Sequence, residues 1–232
     1  MWKFIISYLK EFIHLLYPSI CYACGNHLYD GEEHICIACR MTLPYTFDET
    51  IKYNQTYKVF KGRIRLQSAS SLFYFKKKSN VQHLLHYLKY NGVEDLGNEL
   101  GKIHGHMLSE SELFSNINLI IPVPLHPKKE KKRGYNQALL LANGYAEAMN
   151  VELNNKSLTR LTDTSTQTKK SRYQRYENMS GVFACINVDA IRDKHILLID
   201  DVITTGSTLE ACAQVLLDAG CASISIGSIA IA

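Results

Sequence analysis

The sequence predicts an α/β fold: a parallel sheet flanked by helices, with a small four-cysteine metal ribbon on its N-terminal side. Three observations carry this reading. Short apolar runs at Asn118–Ile121, Ile196–Ile199 and Ile224–Ile229 have the length and unbroken hydrophobicity of strands buried on both faces. Between them lie stretches with apolar residues at helical spacing, the alternation from which parallel sheets are built. Four of the seven cysteines fall between positions 21 and 39, as two Cys-x-x-Cys pairs.

A chain of 232 residues can bury one good core, or one domain with an appendage. Its 46% hydrophobic and 21% charged content is that of a globular protein rather than a disordered one. The net charge of +4 is too small to name a partner, but its distribution is uneven. Lys76–Lys78, the five basic residues of 128–133 and the four of 169–175 hold twelve of the 26 lysines and arginines.

Taken in order, residues 1–18 read as an amphipathic helix, with Phe4, Ile5, Tyr8, Phe12, Leu15 and Leu16 on one face. Lys3, Lys10 and Glu11 break the apolar run, so no transmembrane span fits. Lys10-Glu11 and the lack of a small-residue cleavage site argue against a signal peptide. The helix either packs on its own protein or docks on a membrane surface or partner helix.

Residues 19–45 form the ribbon. Cys21, Cys24, Cys36 and Cys39 supply four thiolates for a tetrahedral, closed and therefore structural Zn²⁺ site. Clustered cysteines in a chain without a signal peptide point to metal rather than disulfides. Redox-active pairs, or a ribbon that has lost its metal, are the alternatives. His27 and His34 stand near enough in sequence to compete as ligands, and Arg40 could offset part of the thiolate charge. Cys185, Cys212 and Cys221 read as small buried apolar residues with no activating partner.

Residues 46–232 form the main domain. Pro44 to about Gln67 is polar and aromatic and reads as a loop or hinge. Ser70–Phe75 reads as a strand. Asn80 can cap a helix carrying Val81, Leu84, Leu85 and Leu88, and a second helix aligns Leu96, Leu100, Ile103 and Met107. Both helices read as core rather than site. After Ile121, Pro122-Val123-Pro124 forces a rigid turn. A basic run, 128–133, leads to a helix with Ala138, Leu139, Ala142, Tyr145, Ala146 and Met149. Ser157–Leu161 reads as a short strand. The polar stretch from Thr162 to Gly181 is an active-site flap or an insert, and Val182-Phe183 marks the return to the core.

The stretch from Ile196 to Leu209 carries the chemistry. An apolar strand runs into Asp200-Asp201, then into Thr204-Thr205-Gly206-Ser207-Thr208, then into a helix. Backbone N–H groups before a helix N-terminus, with hydroxyls beside them, form a nest for a phosphate. Two carboxylates would repel that phosphate but suit the diol of a sugar, or a divalent metal. A sugar ring with a 5-phosphate satisfies both halves. No Gly-Lys-Ser/Thr is present, so this is not a Walker loop.

Ile196 to Thr208 resembles, at all thirteen positions, the phosphoribosyl-pyrophosphate (PRPP) motif of type I phosphoribosyltransferases. With Pro122-Val123-Pro124-Leu125-His126-Pro127, Lys132-Arg133-Gly134-Tyr135-Asn136-Gln137, Gln167, Arg172, Arg175, Asn178, Gly181 and the ribbon, the chain from about Pro18 to Ala232 is similar to the ComF family of competence-associated phosphoribosyltransferase-like proteins. The resemblance implies a type I phosphoribosyltransferase-like sheet and a role in DNA uptake and natural transformation, in the cytoplasm or at the inner face of the membrane. It implies that Asp200 and Asp201 hold the ribose and are the catalytic pair, and that Thr204, Thr205, Gly206, Ser207 and Thr208 hold the 5-phosphate. Mg²⁺ would enter with PRPP. Pyrophosphate would lie on the Pro122–His126 turn, with Lys132, Arg133, Arg172 and Arg175 touching it or a nucleic acid. A competence helicase and recombination mediators are the implied protein partners. The chain begins Met1-Trp2, so the catalytic cysteine of amidophosphoribosyltransferases is not expected, and no pocket for a particular base is legible.

Two functions follow. One is an enzyme transferring a phosphoribosyl group from PRPP to an unidentified acceptor. The other is a module binding single-stranded DNA through the basic clusters, with Tyr135, Tyr173 and Tyr176 as stacking platforms. The two can share one protein.

Overall fold

The computed structural model describes residues 19–90, 92–161 and 182–232. The expected helix over 1–18 and the stretch from Thr162 to Gly181, with Arg172 and Arg175, lie outside the described residues.

The centre is a five-stranded sheet in the order β1-β7-β6-β2-β3, every pair parallel. Its strands are β1 (Ala69–Tyr74), β2 (Leu119–Pro122), β3 (Glu152–Leu153), β6 (His195–Ile203) and β7 (Ser223–Ile231). A separate antiparallel pair joins β4 (Leu158–Arg160) to β5 (Phe183–Cys185). β6 shows why its sequence is an unbroken apolar run. Leu197 and Ile199 face one layer of the core while Ile196 and Leu198 face the other, so both faces are dry. The first layer consists of helices α3 (Asn80–Tyr90), α4 (Glu94–Ser109) and α6 (Gln137–Met149). The second is built from α7 (Ser207–Asp218), β5 and Phe60.

α4 and α6 approach unusually closely. Gly97, Gly101 and Gly105 form a stripe on α4, one turn apart. A Cβ at Gly101 would lie 2.2 Å from the Leu141 carbonyl oxygen, and one at Gly144 of α6 would lie 2.1 Å from that of Asn98. The backbones themselves are in contact there, which the sequence reading, intent on the leucines, did not anticipate. His104 on the same helix is fully buried. It bonds Ser70 Oγ at 2.8 Å and the Tyr145 hydroxyl at 2.5 Å, and burial pulls its pKa down to about 3.

Three expectations are corrected. Pro44–Gln67 is not a free hinge. It holds a 3-10 turn at Asp48–Thr50 and helix α2 (Gln55–Phe60). Four of its polar side chains, Asp48, Glu49, Asn54 and Thr56, are buried: Asn54 caps α2 through Tyr57 N at 2.7 Å and reaches the Ala69 carbonyl at 2.6 Å. Thr56 bonds Ser71 Oγ at 2.8 Å, which bonds Ser228 Oγ at 2.7 Å. A polar sequence reads as solvated until the partners that satisfy it are known. Second, Ser79 rather than Asn80 caps α3, accepting from Gln82 N. Third, the basic run is itself a helix, α5 (Pro127–Arg133), capped by His126 Nδ1 on Lys128 N at 3.1 Å and closed by Gly134 at φ 87°.

The ribbon carries helix α1 (Ile37–Thr42) and packs on α3 and α4. The Tyr22 and Tyr87 rings are 4.5 Å apart, His83 Nδ1 lies 2.9 Å from the Ala23 carbonyl, and Glu99 pairs with both His34 and Arg40. Ribbon residues Cys21, Ala23, Ile35 and Leu43 belong to the same buried cluster as α3 and α4. Among the described residues no helix is long and apolar enough to cross a membrane.

Candidate functional site

Because the sheet is parallel, its strands deliver their carboxyl ends to one edge, where open α/β sheets bind ligands. β2 stops pairing with β6 at Pro122 opposite Ile199. β6 continues to Ile203, so Asp200 and Asp201 do not end the strand, as the sequence suggested. They stand just beyond the end of their neighbour, where the turn after β2 leaves a gap.

That gap is a cavity of about 200 Å³. Asp200, Asp201 and Thr208 form one wall and Val123, Pro124, Leu125 and Asn136 another, and the side chains of Lys89, Lys129, Arg133 and Arg160 also line it. Of the two expected cations of the 128–133 run, Arg133 lines the cavity while Lys132 is exposed outside it. Arg133 is held by Gln137 Oε1 at 2.5 Å and lies over the Tyr90 ring. Lys89 and Arg160 come from elements read only as core and as a short strand.

The two carboxylates differ. Lys89 Nζ is 2.8 Å from Asp201 Oδ2. Asp200 Oδ1 accepts the Asp201 backbone N–H at 2.9 Å, yet burial and the adjacent Asp201 charge push the Asp200 carboxyl up to about 7. A carboxyl with a raised folded pKa favours the folded state while protonated, and that advantage is lost as pH rises from the unfolded value near 4 towards 7. Asp200→Asn is therefore expected to stabilise the protein by up to about 4 kcal/mol at pH 8, and hardly at all at pH 4. Denaturant melts at the two pH values check this, and an equal effect at both would contradict it.

The hydroxyl loop sits beside this cavity and lines a small recess of its own with Asp200. Thr204, Thr205, Ser207 and Thr208 are exposed and Gly206 is buried. Gly206 is the N-cap of α7 at φ 73° and has no side chain to cap the helix; the Ser207 N–H makes a long contact of 3.5 Å with Thr205 Oγ1, and the N–H groups that follow it are open to a ligand. Only glycine fits: beyond the positive φ, a Cβ would meet the Phe60 ring at 2.7 Å. Arg63 braces the loop from α2's side. It donates to the Thr205 carbonyl at 2.6 Å and pairs with Glu210. Arg63 lies in the segment read as a hinge, and nothing local marks it.

The second site is the thiolate cluster. The sulfurs of Cys21, Cys24, Cys36 and Cys39 all lie within 4.8 Å of one another, and Cys24 and Cys36 are 3.9 Å apart. A tetrahedron with bonds of about 2.3 Å has an edge of about 3.8 Å, so the donor set fits a metal ion such as zinc. Supporting donors are present: Cys36 N points to Cys21 Sγ and Cys39 N to Cys36 Sγ, each at 3.4 Å, and Asn80 Nδ2 lies 3.8 Å from Cys39 Sγ. His34 is bound to Glu99 instead of the cluster, and the Arg40 charge is likewise committed to Glu99. Cys185, Cys212 and Cys221 are buried.

Residues 136–232 match the phosphoribosyl transferase domain family. With competence protein ComFC of Bacillus subtilis the chain shares 27% identity over 220 residues, covering 89% of this chain and 82% of that protein. Competence protein F of Haemophilus influenzae is 34% identical over 112 residues, 48% of this chain and 49% of that protein. DNA utilization protein YhgH of Escherichia coli O157:H7 is 28% identical over 146 residues, 62% of this chain. The match spans 63% of the length of that relative. Family match and strand order agree on a phosphoribosyltransferase-like parallel sheet flanked by helices.

Proposed function

We propose that this ComF-like chain, with its phosphoribosyltransferase-like domain, acts in DNA uptake and natural transformation by binding PRPP at the carboxyl edge of β6 and single-stranded DNA along the basic surface around it. The observation that carries the PRPP half is the cavity in which Asp200, Asp201 and Thr208 meet Lys89, Lys129, Arg133 and Arg160. Its charge pattern matches a ligand with a neutral diol and a strongly anionic pyrophosphate. In this reading Asp200 and Asp201 accept from the ribose hydroxyls. The 204–208 loop, with the open N–H groups of α7, takes the 5-phosphate. Arg133, Lys129 and Arg160 face the pyrophosphate, with Arg172 and Arg175 as further contacts, and Lys132, outside the cavity, is left to meet a nucleic acid. Asp200 Oδ2 and Asp201 Oδ1 carry no hydrogen bond or ion pair among the described residues, so the diacid has oxygens to spare for ribose hydroxyls or water around an ion. When bound, Mg²⁺ would neutralise pyrophosphate charge. The ribbon holds a structural Zn²⁺.

Titration calorimetry with PRPP, ribose 5-phosphate and pyrophosphate tests the assignment. PRPP is expected to bind most tightly, with each half competing against it. Indifference to all three, or equal affinity for inorganic phosphate, would contradict it.

DNA binding is supported by the topology. Lys76–Lys78 follow β1 and the 128–133 cluster follows β2, so both lie on the same edge of the parallel sheet, and they are largely exposed. Binding of a labelled single-stranded oligonucleotide is expected to fall with a log–log salt slope of about −0.7 for each neutralised phosphate, and to survive Asp201→Ala. A salt-independent affinity would exclude a backbone-tracking mode. The alternative is a phosphoribosyltransferase acting outside DNA uptake. It is favoured if PRPP is consumed in the presence of a base and DNA does not bind. A competence helicase, recombination mediators and the inner face of the cytoplasmic membrane are the partners and location consistent with the proposed role.

A further inference from the structure

Lys89 is the residue at the cavity that the proposed chemistry does not yet use. It sits in the last turn of α3, on a helix whose buried face is otherwise leucine and valine. Its ammonium reaches Asp201 Oδ2 at 2.8 Å, and both side chains are largely shielded, at 25% and 16% exposure. A lysine placed there by core packing alone would extend its head to water. This one instead turns its charge onto one carboxylate of an adjacent acidic pair, the position that a divalent ion would otherwise be called on to neutralise.

Charge bookkeeping gives the consequence. Four cationic side chains line the cavity against two carboxylates, an excess of two positive charges. With Lys89 neutralising Asp201, three cations remain against the single carboxylate of Asp200 to meet the ligand's phosphates. We propose that Lys89 is a built-in counter-ion, a positioning residue that offsets the Asp201 charge, holds that carboxylate aimed at the ribose and lets the site hold a pyrophosphate-bearing ligand without a divalent ion. This rests on the cavity being the phosphoribosyl site. Without Lys89, Asp201 loses the ion pair it makes among the described residues, and two adjacent carboxylates in a shielded site repel each other. A divalent ion then becomes necessary.

The experiment measures PRPP affinity by titration calorimetry with excess Mg²⁺ and with EDTA, for the full-length wild type, Lys89→Met and Lys89→Arg. The wild type is expected to lose no more than about tenfold on removal of Mg²⁺, Lys89→Met about a hundredfold or more, and Lys89→Arg to behave as wild type. A loss of stability alone would weaken binding equally in both buffers, so the ratio between buffers is the diagnostic reading. Wild type and Lys89→Met with the same metal dependence would overturn the inference and leave the site assignment standing. A wild type that binds PRPP in neither buffer would overturn both.

Discussion

Cys39→Ser is expected to lower the melting temperature by about 10–20 °C, and so is a strong chelator that strips the metal proposed for the ribbon. The physical reason is that the ribbon is not an appendage. Cys21, Cys36 and Cys39 are buried in one cluster with Leu84, Leu88 and Leu96, and beside one backbone bond, Tyr22 N to the His34 carbonyl at 2.9 Å, the two knuckles meet through the sulfurs and the N–H donor of Cys36. Structural zinc contributes about 10–16 kcal/mol of apparent binding energy in small zinc domains. Even about 5 kcal/mol lost here corresponds to the stated shift for a chain of this size. The effect should spread beyond the ribbon, because Tyr22 leaves Tyr87, and Asn80 and His83 lose their partners on the α3 side. Calorimetric scans of zinc-loaded and chelated protein, with zinc counted by atomic absorption, provide the check. A chelated protein that melts where the loaded one does would show that the four sulfurs are not a metal site.

Gly144→Ala is the second large effect, and it involves no site residue. The new methyl would stand 2.1 Å from the Asn98 carbonyl oxygen and 2.7 Å from Lys102 N. Those are backbone atoms of α4 and cannot turn aside. The helices must separate, and the cavity this opens beside Leu141 and Tyr145 adds to the strain, for a loss of about 3 kcal/mol or more. Alanine is otherwise the better helix residue by about 1 kcal/mol, so the sign separates the two effects. A denaturant midpoint that rises would refute close backbone contact at this crossing. Gly134→Ala is a useful contrast, since nothing lies near its added carbon and only its positive φ is strained.

What was legible in the sequence follows from how local each feature is. β6, its loop and α7 form one continuous stretch, with an apolar run buried on both faces and a glycine whose φ no other residue takes easily, so the strand, the loop and the helix could be read in order, although the strand runs on past the acids to Ile203. The cysteine pairs were legible for the same reason. Lys89, Arg63 and Arg160 were not, because each reaches the site from a different element, and the spacing of Val81, Leu84, Leu85 and Leu88 says nothing about where a lysine on the same helix will point. The buried Asn54–Thr56–Ser71–Ser228 chain was missed because polar residues reveal their burial only through partners distant in sequence. Arg133 and Lys132 are neighbours in sequence, and only the cap at Gly134 and the bond to Gln137 determine which of them turns inward.

The claim that matters most is that Asp200, Asp201 and the 204–208 loop bind a phosphoribosyl pyrophosphate. The most direct measurement is thermal unfolding of the zinc-loaded protein with and without PRPP and Mg²⁺, beside Asp201→Ala. At about 100 times its dissociation constant, a ligand that binds only the folded state adds about 2.7 kcal/mol. The account predicts a corresponding rise in the wild type that disappears in Asp201→Ala. An unshifted wild type, folded and zinc-loaded, would contradict it.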